Sequence, residues 1–449
     1  MEISDLTAQL QSFTNAQFVD GCLQSINDTY VPFPQNEIKK IFVRKCYEDV
    51  FDLLLNNIKM KSFAVSGTSG IGKSLFFVYI LYRLIKDFKM KTLPLKPNHI
   101  VYQISNQYFC FDLEKLTVVV LERLEAKLLV LQQLTFYIID GETPPILTSS
   151  CIVLFISSCR QQEYDRFVEE KMAKEWHFPV WDFEELKACQ SVCYQDLSLE
   201  VLKTRYRIYG GIARWIFYQD YSIIGTNAMV EALADIDAVK KVHGIGIPTT
   251  IFGSIQTLVH MIVSTDGLYR FTHVDLASKY VGEQLWIHYS TQMITNLNQL
   301  FGGIPRAISR HLFESYGNRV FLNEGGRTLN CRCLEDATVD VFILEALNIQ
   351  PIEFGQDNIP TAEELMNSYY ERTDKDDFLA VDSLSPQGMF KFTDAAEHPI
   401  REVNILRKMS KLYDEPKLYF VFHLIDFKRL GNRVSKQCKA QVRLERLRD

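Results

Sequence analysis

Eight consecutive residues, Gly67-Thr68-Ser69-Gly70-Ile71-Gly72-Lys73-Ser74, satisfy the spacing G-x-x-x-x-G-K-[ST] of a phosphate-binding loop. Glycines let successive backbone N–H groups converge on phosphate oxygens, and a helix opening there adds the positive end of its dipole. Lys73 is placed to reach the β- and γ-phosphates of ATP or GTP, and the Ser74 hydroxyl to join a Mg²⁺ shell. Such a loop needs a second, distant carboxylate for the same ion. The run Leu134-Thr135-Phe136-Tyr137-Ile138-Ile139-Asp140 supplies one at the end of an apolar segment. Glu142, two residues on, is the candidate for orienting or deprotonating an attacking water, although a glutamate in that role normally follows the aspartate directly. Ile152 to Ile156 ends in Ser157-Ser158-Cys159-Arg160, where Ser157, Ser158 or Arg160 is expected to sense the γ-phosphate. Tyr209-Gly210-Gly211-Ile212-Ala213-Arg214 opens a further helix. An arginine so placed on a helical lid reaches the γ-phosphate in AAA+-type switches; the other reading of Arg214 is a surface arginine at a helix start.

These residues need particular elements to hold them. Ser62 to Val65 is a short apolar run, and Leu75 to Phe88 is apolar, of helix length and free of Gly and Pro. The order is therefore strand, glycine loop, helix. Leu134 to Ile139 and Ile152 to Ile156 read as strands buried on both faces, the pattern of a parallel sheet between helix layers. Ile100 to Phe111 adds one or two more. Ahead of the loop, residues 1–30 read as a short helical lead-in, and Ile38, Ile41, Phe42, Cys46, Val50, Leu53 and Leu54 as one face of an amphipathic helix. After the sheet, about 184–220 reads as helical and the stretch to about 300 as mixed, mostly helical. From Ile304 a helix to Tyr316 precedes short strands near Val320, Val339 to Ile343, Phe378 to Val381, Met389 to Phe392 and Lys417 to Phe422. The expected least ordered part lies between Gly355 and Asp377. The domain plan is 1–59 lead-in, 60–183 nucleotide-binding core, 184–300 helical lid, and 301–449 a second α/β module.

The chain has 449 residues, 47% of them apolar and 23% charged, an ordinary globular balance for more than one domain. Its formal charge of −6 gives no overall field toward nucleic acid or anionic lipid, so any such binding needs a local patch. One candidate is Phe427 to Asp449, with eight Lys/Arg against two acids, suited to DNA phosphates or nuclear import; a solvated terminal helix is the alternative. No apolar stretch approaches the length of a membrane span, and the N-terminus lacks a conventional secretory signal. Ten scattered cysteines suit buried thiols, and Cys189/Cys193 and Cys331/Cys333 lack partners at zinc spacing.

Several segments together resemble the ATPase part of Crinkler effectors and of trypanosome retrotransposon-hot-spot proteins: FVRKCYEDVFDLLL, FAVSGTSGIGKSLFFVYILYRL, YIIDGETPP, LFISSCRQQEYDRF, FPVWDFEELKAC and YGGIARWIF. IPRAISRHLFESYGNRVFLNEGGRTLNCRCL, LAVDSLSPQGMFKFTDAAEHPI and KLYFVF are similar to the family's terminal nuclease-like module. The resemblance covers roughly 40–437. It implies an α/β effector in which a P-loop NTPase, with a three-layer parallel sheet and a helical lid, switches a restriction-endonuclease-like α/β domain. The implied place of action is a host nucleus after secretion, with the cytoplasm as the alternative. The implied partners are nucleotide, DNA, host nuclear proteins and a second copy of the chain. Two departures stand out: the oomycete translocation motif is missing, and Lys391 stands where the family usually has Gln.

A metal-dependent nuclease of that fold needs a helix carboxylate, a strand-end Asp and an acid-x-Lys on the next strand. Glu314 and Asp382 match the first two as Mg²⁺ ligands. The third falls at Lys391 and Thr393, with no carboxylate, leaving Lys391 to polarise the phosphate. The expectation is a degenerate, nucleic-acid-binding or structural module rather than an efficient nuclease. The competing reading of the whole chain is a non-enzymatic interaction protein that nucleotide merely stabilises.

Overall fold

The computed structural model describes residues 3–26, 29–90, 97–141, 150–157, 162–234, 257–284, 327–332, 339–344, 352–355, 358–366, 368–372, 381–393, 403–414, 416–422 and 441–443. The chain divides into two compact units, Met1–Ala277 and Ser278–Asp449. Both mix helices with strands. Among the described residues no helix is long and apolar enough to cross a membrane.

The first unit opens with α1 (Ile3–Phe13), β1 (Gln17–Val19), β2 (Cys22–Gln24), β3 (Lys40–Phe42) and α2 (Lys45–Asn56). Next come β4 (Ser62–Gly67), α3 (Phe76–Met90), β5 (His99–Ile104), β6 (Gln107–Asp112), β7 (Thr117–Leu121) and α4 (Arg123–Val130). They are followed by β8 (Thr135–Asp140), β9 (Ile152–Ile156), α5 (Gln162–Lys171) and β10 (Lys174–Phe178). Beyond the sheet lie α6 (Phe183–Cys193), α7 (Leu199–Tyr209), α8 (Ala213–Phe217), α9 (Gln219–Ala234), β11 (Val259–Val263) and β12 (Phe271–Leu276).

The main sheet has seven strands in the order β10-β4-β9-β8-β5-β6-β7. The first five are parallel and the last two antiparallel, so the expected parallel sheet is in fact mixed. Alternation along each strand shows why both faces must be covered. Phe63, Val65, Ile138, Leu154 and Ile156 pack with α2 and α3, while Ala64, Tyr137, Ile139, Val153 and Phe155 pack with Ala126, Val130, Tyr164 and Phe167 of α4 and α5. The exposed edge at β7 is blunted by Thr7 of α1, whose hydroxyl donates to the Val118 carbonyl and accepts from its N–H.

Several expected elements differ. Residues 17–24 form two strands rather than helix, and the helix expected from Ile38 begins at Lys45. Lys40 to Phe42 instead pairs with Cys22 to Gln24, a distant partner that local periodicity does not register. The edge strand β10 was hidden by its exposed Lys174 and half-buried Glu175. The stretch read as mostly helical contains the antiparallel pair β11–β12.

The second unit contains β13 (Arg327–Arg332), β14 (Val339–Leu344), β15 (Ile352–Phe354), α10 (Ala362–Leu365), β16 (Tyr370–Arg372), β17 (Ser383–Ser385), β18 (Gly388–Thr393), α11 (Val403–Ser410), β19 (Lys417–Phe422) and β20 (Gln441–Arg443). β15 to β20 form a six-stranded mixed sheet in chain order. The segment expected to be least ordered holds α10, closed by a capping box between Thr361 and Glu364, and β16. The expected helix 304–316 and the strands near Val320 and at 378–380 lie outside the described residues.

Candidate functional site

Gly67 ends β4, and the loop runs into a 3₁₀ turn at Lys73–Leu75 and then α3. Two glycines have specific reasons to be glycine. Gly70 has φ +81°, and a Cβ there would lie 2.9 Å from Ile212 Cγ2; Gly72 has φ +96°, and its Cβ would lie 2.9 Å from the Tyr47 hydroxyl. Thr68, Ser69 and Ile71 complete the loop, with Thr68 and Ile71 buried. The Thr68 hydroxyl accepts from the Met261 N–H of β11, at 3.0 Å.

Lys73 is only 5% exposed. Its ammonium donates to the Gly67 carbonyl at 2.9 Å and the Thr68 carbonyl at 2.6 Å, curled over the loop it belongs to. Asp140 ends β8 and is buried. Tyr102 donates its hydroxyl to Asp140 Oδ2 at 2.6 Å, and Gln35 Nε2 reaches the same oxygen at 3.4 Å. Burial raises the Asp140 pKa; hydrogen bonds from Tyr102, Ser74 and Gln35, and the charge of Lys73, oppose that rise. The loop lysine, the loop serine and the strand-end aspartate therefore converge, although Asp140 is 66 residues beyond Ser74 (140 − 74). β9 separates β4 from β8 in the sheet, and Ser157 just after it is buried, its N–H on the Val65 carbonyl at 3.0 Å.

Arg214 also reaches this neighbourhood. Its backbone N–H donates to the Gly70 carbonyl at 3.0 Å, and its side chain is exposed. The preceding turn is tightly seated: a Cβ on Gly211 would lie 2.1 Å from the Trp181 carbonyl oxygen. Glu142, Ser158, Arg160 and Glu314 lie outside the described residues, as does the basic tail apart from the backbone of 441–443.

Side chains that no motif announced surround the loop. Arg44, 1% exposed, forks onto Glu185 at 2.8 and 2.9 Å, and donates to the carbonyls of Pro179 at 3.0 Å, Val180 at 3.4 Å and Ile71 at 3.4 Å. Its guanidinium lies 4.5 Å from the Trp181 ring centroid. Trp181 Nε1 donates to the Ile71 carbonyl at 2.8 Å, and the Tyr47 hydroxyl to the Gly72 carbonyl at 2.6 Å. None belongs to a motif with an assigned chemistry: Arg44 and Tyr47 lie in FVRKCYEDVFDLLL, and Trp181 and Glu185 in FPVWDFEELKAC.

In the second unit, Asp382 and Lys391 do meet. Their side chains are 3% and 1% exposed, and Lys391 Nζ lies 2.7 Å from Asp382 Oδ1 across β17 and β18. The carboxylate is engaged by an internal cation.

No family model matches the chain. It is 25% identical to Crinkler effector protein 16 of Phytophthora infestans over 399 residues, 82% of this chain and 60% of that protein. It is 23% identical to Crinkler effector protein 15 of the same organism over 392 residues, with the same shares. The chain is thus similar in sequence to these Crinkler effector proteins. It spans about 60% of the length of the curated relatives it matches.

Proposed function

We propose that the chain is a Crinkler-like effector whose first unit binds and hydrolyses ATP or GTP with Mg²⁺, and that this switches a second unit directed at nucleic acid in a host nucleus. The observation that carries this reading is the convergence of Lys73, Ser74 and Asp140 at the ends of β4 and β8. The donors suit the ligand: a hydroxyl and a carboxylate are hard oxygen ligands for Mg²⁺, and an ammonium beside them matches phosphate. Arg214 would approach the γ-phosphate from the helical side, and Ser157 from the neighbouring strand. Glu142 and Arg160 remain the proposed water-orienting and sensing residues. In the second unit the Asp382–Lys391 pair favours a nucleic-acid-binding or structural module over a nuclease, because a paired carboxylate is a poorer metal ligand.

The test is Lys73→Ala. Loss of the ammonium that neutralises the phosphates should lower triphosphate affinity or turnover at least about tenfold, or ~1.4 kcal/mol. Fluorescent-nucleotide binding and phosphate release on the purified chain measure both. Equal binding and turnover by the variant would end the reading. A second reading, nucleotide binding without turnover, draws on Tyr102 and Gln35 already occupying Asp140 Oδ2. Stoichiometric binding with no phosphate release would favour it.

A further inference from the structure

Three consecutive peptide carbonyls of the loop are held by groups from elsewhere in the first unit. The Gly70 carbonyl accepts from the Arg214 N–H at 3.0 Å. The Ile71 carbonyl accepts from Trp181 Nε1 at 2.8 Å and from Arg44 Nη1 at 3.4 Å. The Gly72 carbonyl accepts from the Tyr47 hydroxyl at 2.6 Å and from the Leu75 N–H at 3.0 Å. In a trans peptide the N–H points opposite to the C=O of the same unit. Holding these three carbonyls therefore aims the N–H groups of Ile71, Gly72 and Lys73 the other way. Successive N–H groups aimed to one side make an anion-binding concavity.

We propose that Tyr47, Trp181 and Arg44 are positioning residues of the phosphate loop, setting the peptide planes whose N–H groups receive the phosphates. The inference rests on the nucleotide reading and deepens it. The fit between Tyr47 and the loop is mutual, since the hydroxyl occupies the space that a Cβ on Gly72 would need. The second glycine of the motif is thus required by Tyr47 as well as by its own φ. Arg44 extends the arrangement to α6, because the guanidinium that touches Ile71 also grips Glu185 on the first turns of that helix. Trp181 does the same for the Gly210-Gly211 turn, its own N–H donating to the Gly211 carbonyl at 3.1 Å. The loop and the helical segment after the sheet therefore share their supports.

The experiment uses the full chain and two conservative variants, Tyr47→Phe and Trp181→Phe, each of which deletes one donor and keeps a ring. Two controls lose comparable groups in the same unit away from the loop. Tyr164→Phe removes a hydroxyl that donates to Glu175 at 3.0 Å, and Trp176→Phe alters the ring stacked on Phe63. Binding of fluorescent Mg·ATP and steady-state turnover are measured for all five proteins, with melting temperatures. Each loop variant should raise Kd and KM about three- to tenfold, the worth of one positioned hydrogen bond. Its kcat should stay within about twofold, since these N–H groups hold ground and transition states alike. The controls should lower the melting temperature and leave Kd unchanged. Unchanged Kd in both loop variants, or equal losses in the controls, overturns the assignment. If the parent chain binds no nucleotide, the nucleotide reading itself fails, a result distinct from either.

Discussion

Asp140 is the residue whose chemistry and setting are most closely joined. Its carboxylate is buried, touched by Tyr102, Ser74 and Gln35, and lies in the field of Lys73. Under the nucleotide reading its charge organises Mg²⁺, while phosphate is held mainly by the loop. Asp140→Asn keeps the shape and an acceptor for Tyr102 but removes the charge. Turnover should fall about a hundredfold or more, with nucleotide affinity changed far less. Mg²⁺ titrations of phosphate release beside binding isotherms separate the two quantities. Full turnover with normal Mg²⁺ dependence would reduce Asp140 to a strand-end residue. Lys391 carries a different lesson. Its ammonium is closed onto Asp382, and breaking a buried ion pair by removing one partner costs about 3–5 kcal/mol.

Among the elements, the pair β11–β12 has the most to say about how the loop is enclosed. Met261 of β11 donates to Thr68, and His260, the residue before it, packs against the Gly-Gly turn: a Cβ on Gly210 would lie 2.7 Å from His260 Cε1. The imidazole is buried, and its Nε2 has no hydrogen-bond partner among the described residues. Burial pulls its pKa down to about 4 against the opposing pull of Asp275 across the ladder. The unfolded chain therefore takes up this proton first. The contribution is complete above about pH 6.5 and is lost as pH falls from there toward about 4. Wild-type stability should fall by up to about 1.4 kcal/mol per pH unit within that window relative to His260→Gln. Denaturant unfolding of both proteins at several pH values reads the difference. Parallel pH profiles would mean that the histidine is not buried neutral in solution.

For the whole molecule, the question is what a net charge of −6 permits. Eight Lys/Arg fall in the last 23 residues (427–449), outside the described structure apart from the backbone of 441–443, on a chain otherwise dominated by acids. If that segment meets DNA, binding is carried by phosphate contacts and counterion release. With six or more contacts, affinity should fall by about three orders of magnitude between 50 and 200 mM salt. Replacing Lys436 and Lys439 together by Glu should lower the log–log salt slope by about two. Fluorescence anisotropy with labelled duplex, with and without nucleotide, measures this. Salt-independent binding, or none, would leave the second unit as a protein-docking platform.

Some of this was decided locally and was therefore legible. Gly67 to Ser74 is legible as a motif because a phosphate loop works through its own backbone, and the run to Asp140 is apolar on both faces because both faces of β8 are covered. The mixed α/β class follows from the same runs. Other features depend on partners far along the chain, and no local pattern encodes them. Lys40 to Phe42 became a strand because Cys22 to Gln24 lay beside it; β10 carries charges because it sits at an edge; β11 and β12 stabilise each other. The same holds for the loop's supports. Nothing local marks Tyr47 and Trp181; folding sets their polar atoms against two carbonyls, 25 and 110 residues away in sequence. Sequence determined which groups can meet a phosphate. Tertiary structure decided which way those groups face, because a peptide plane is set by whatever accepts or donates on its far side.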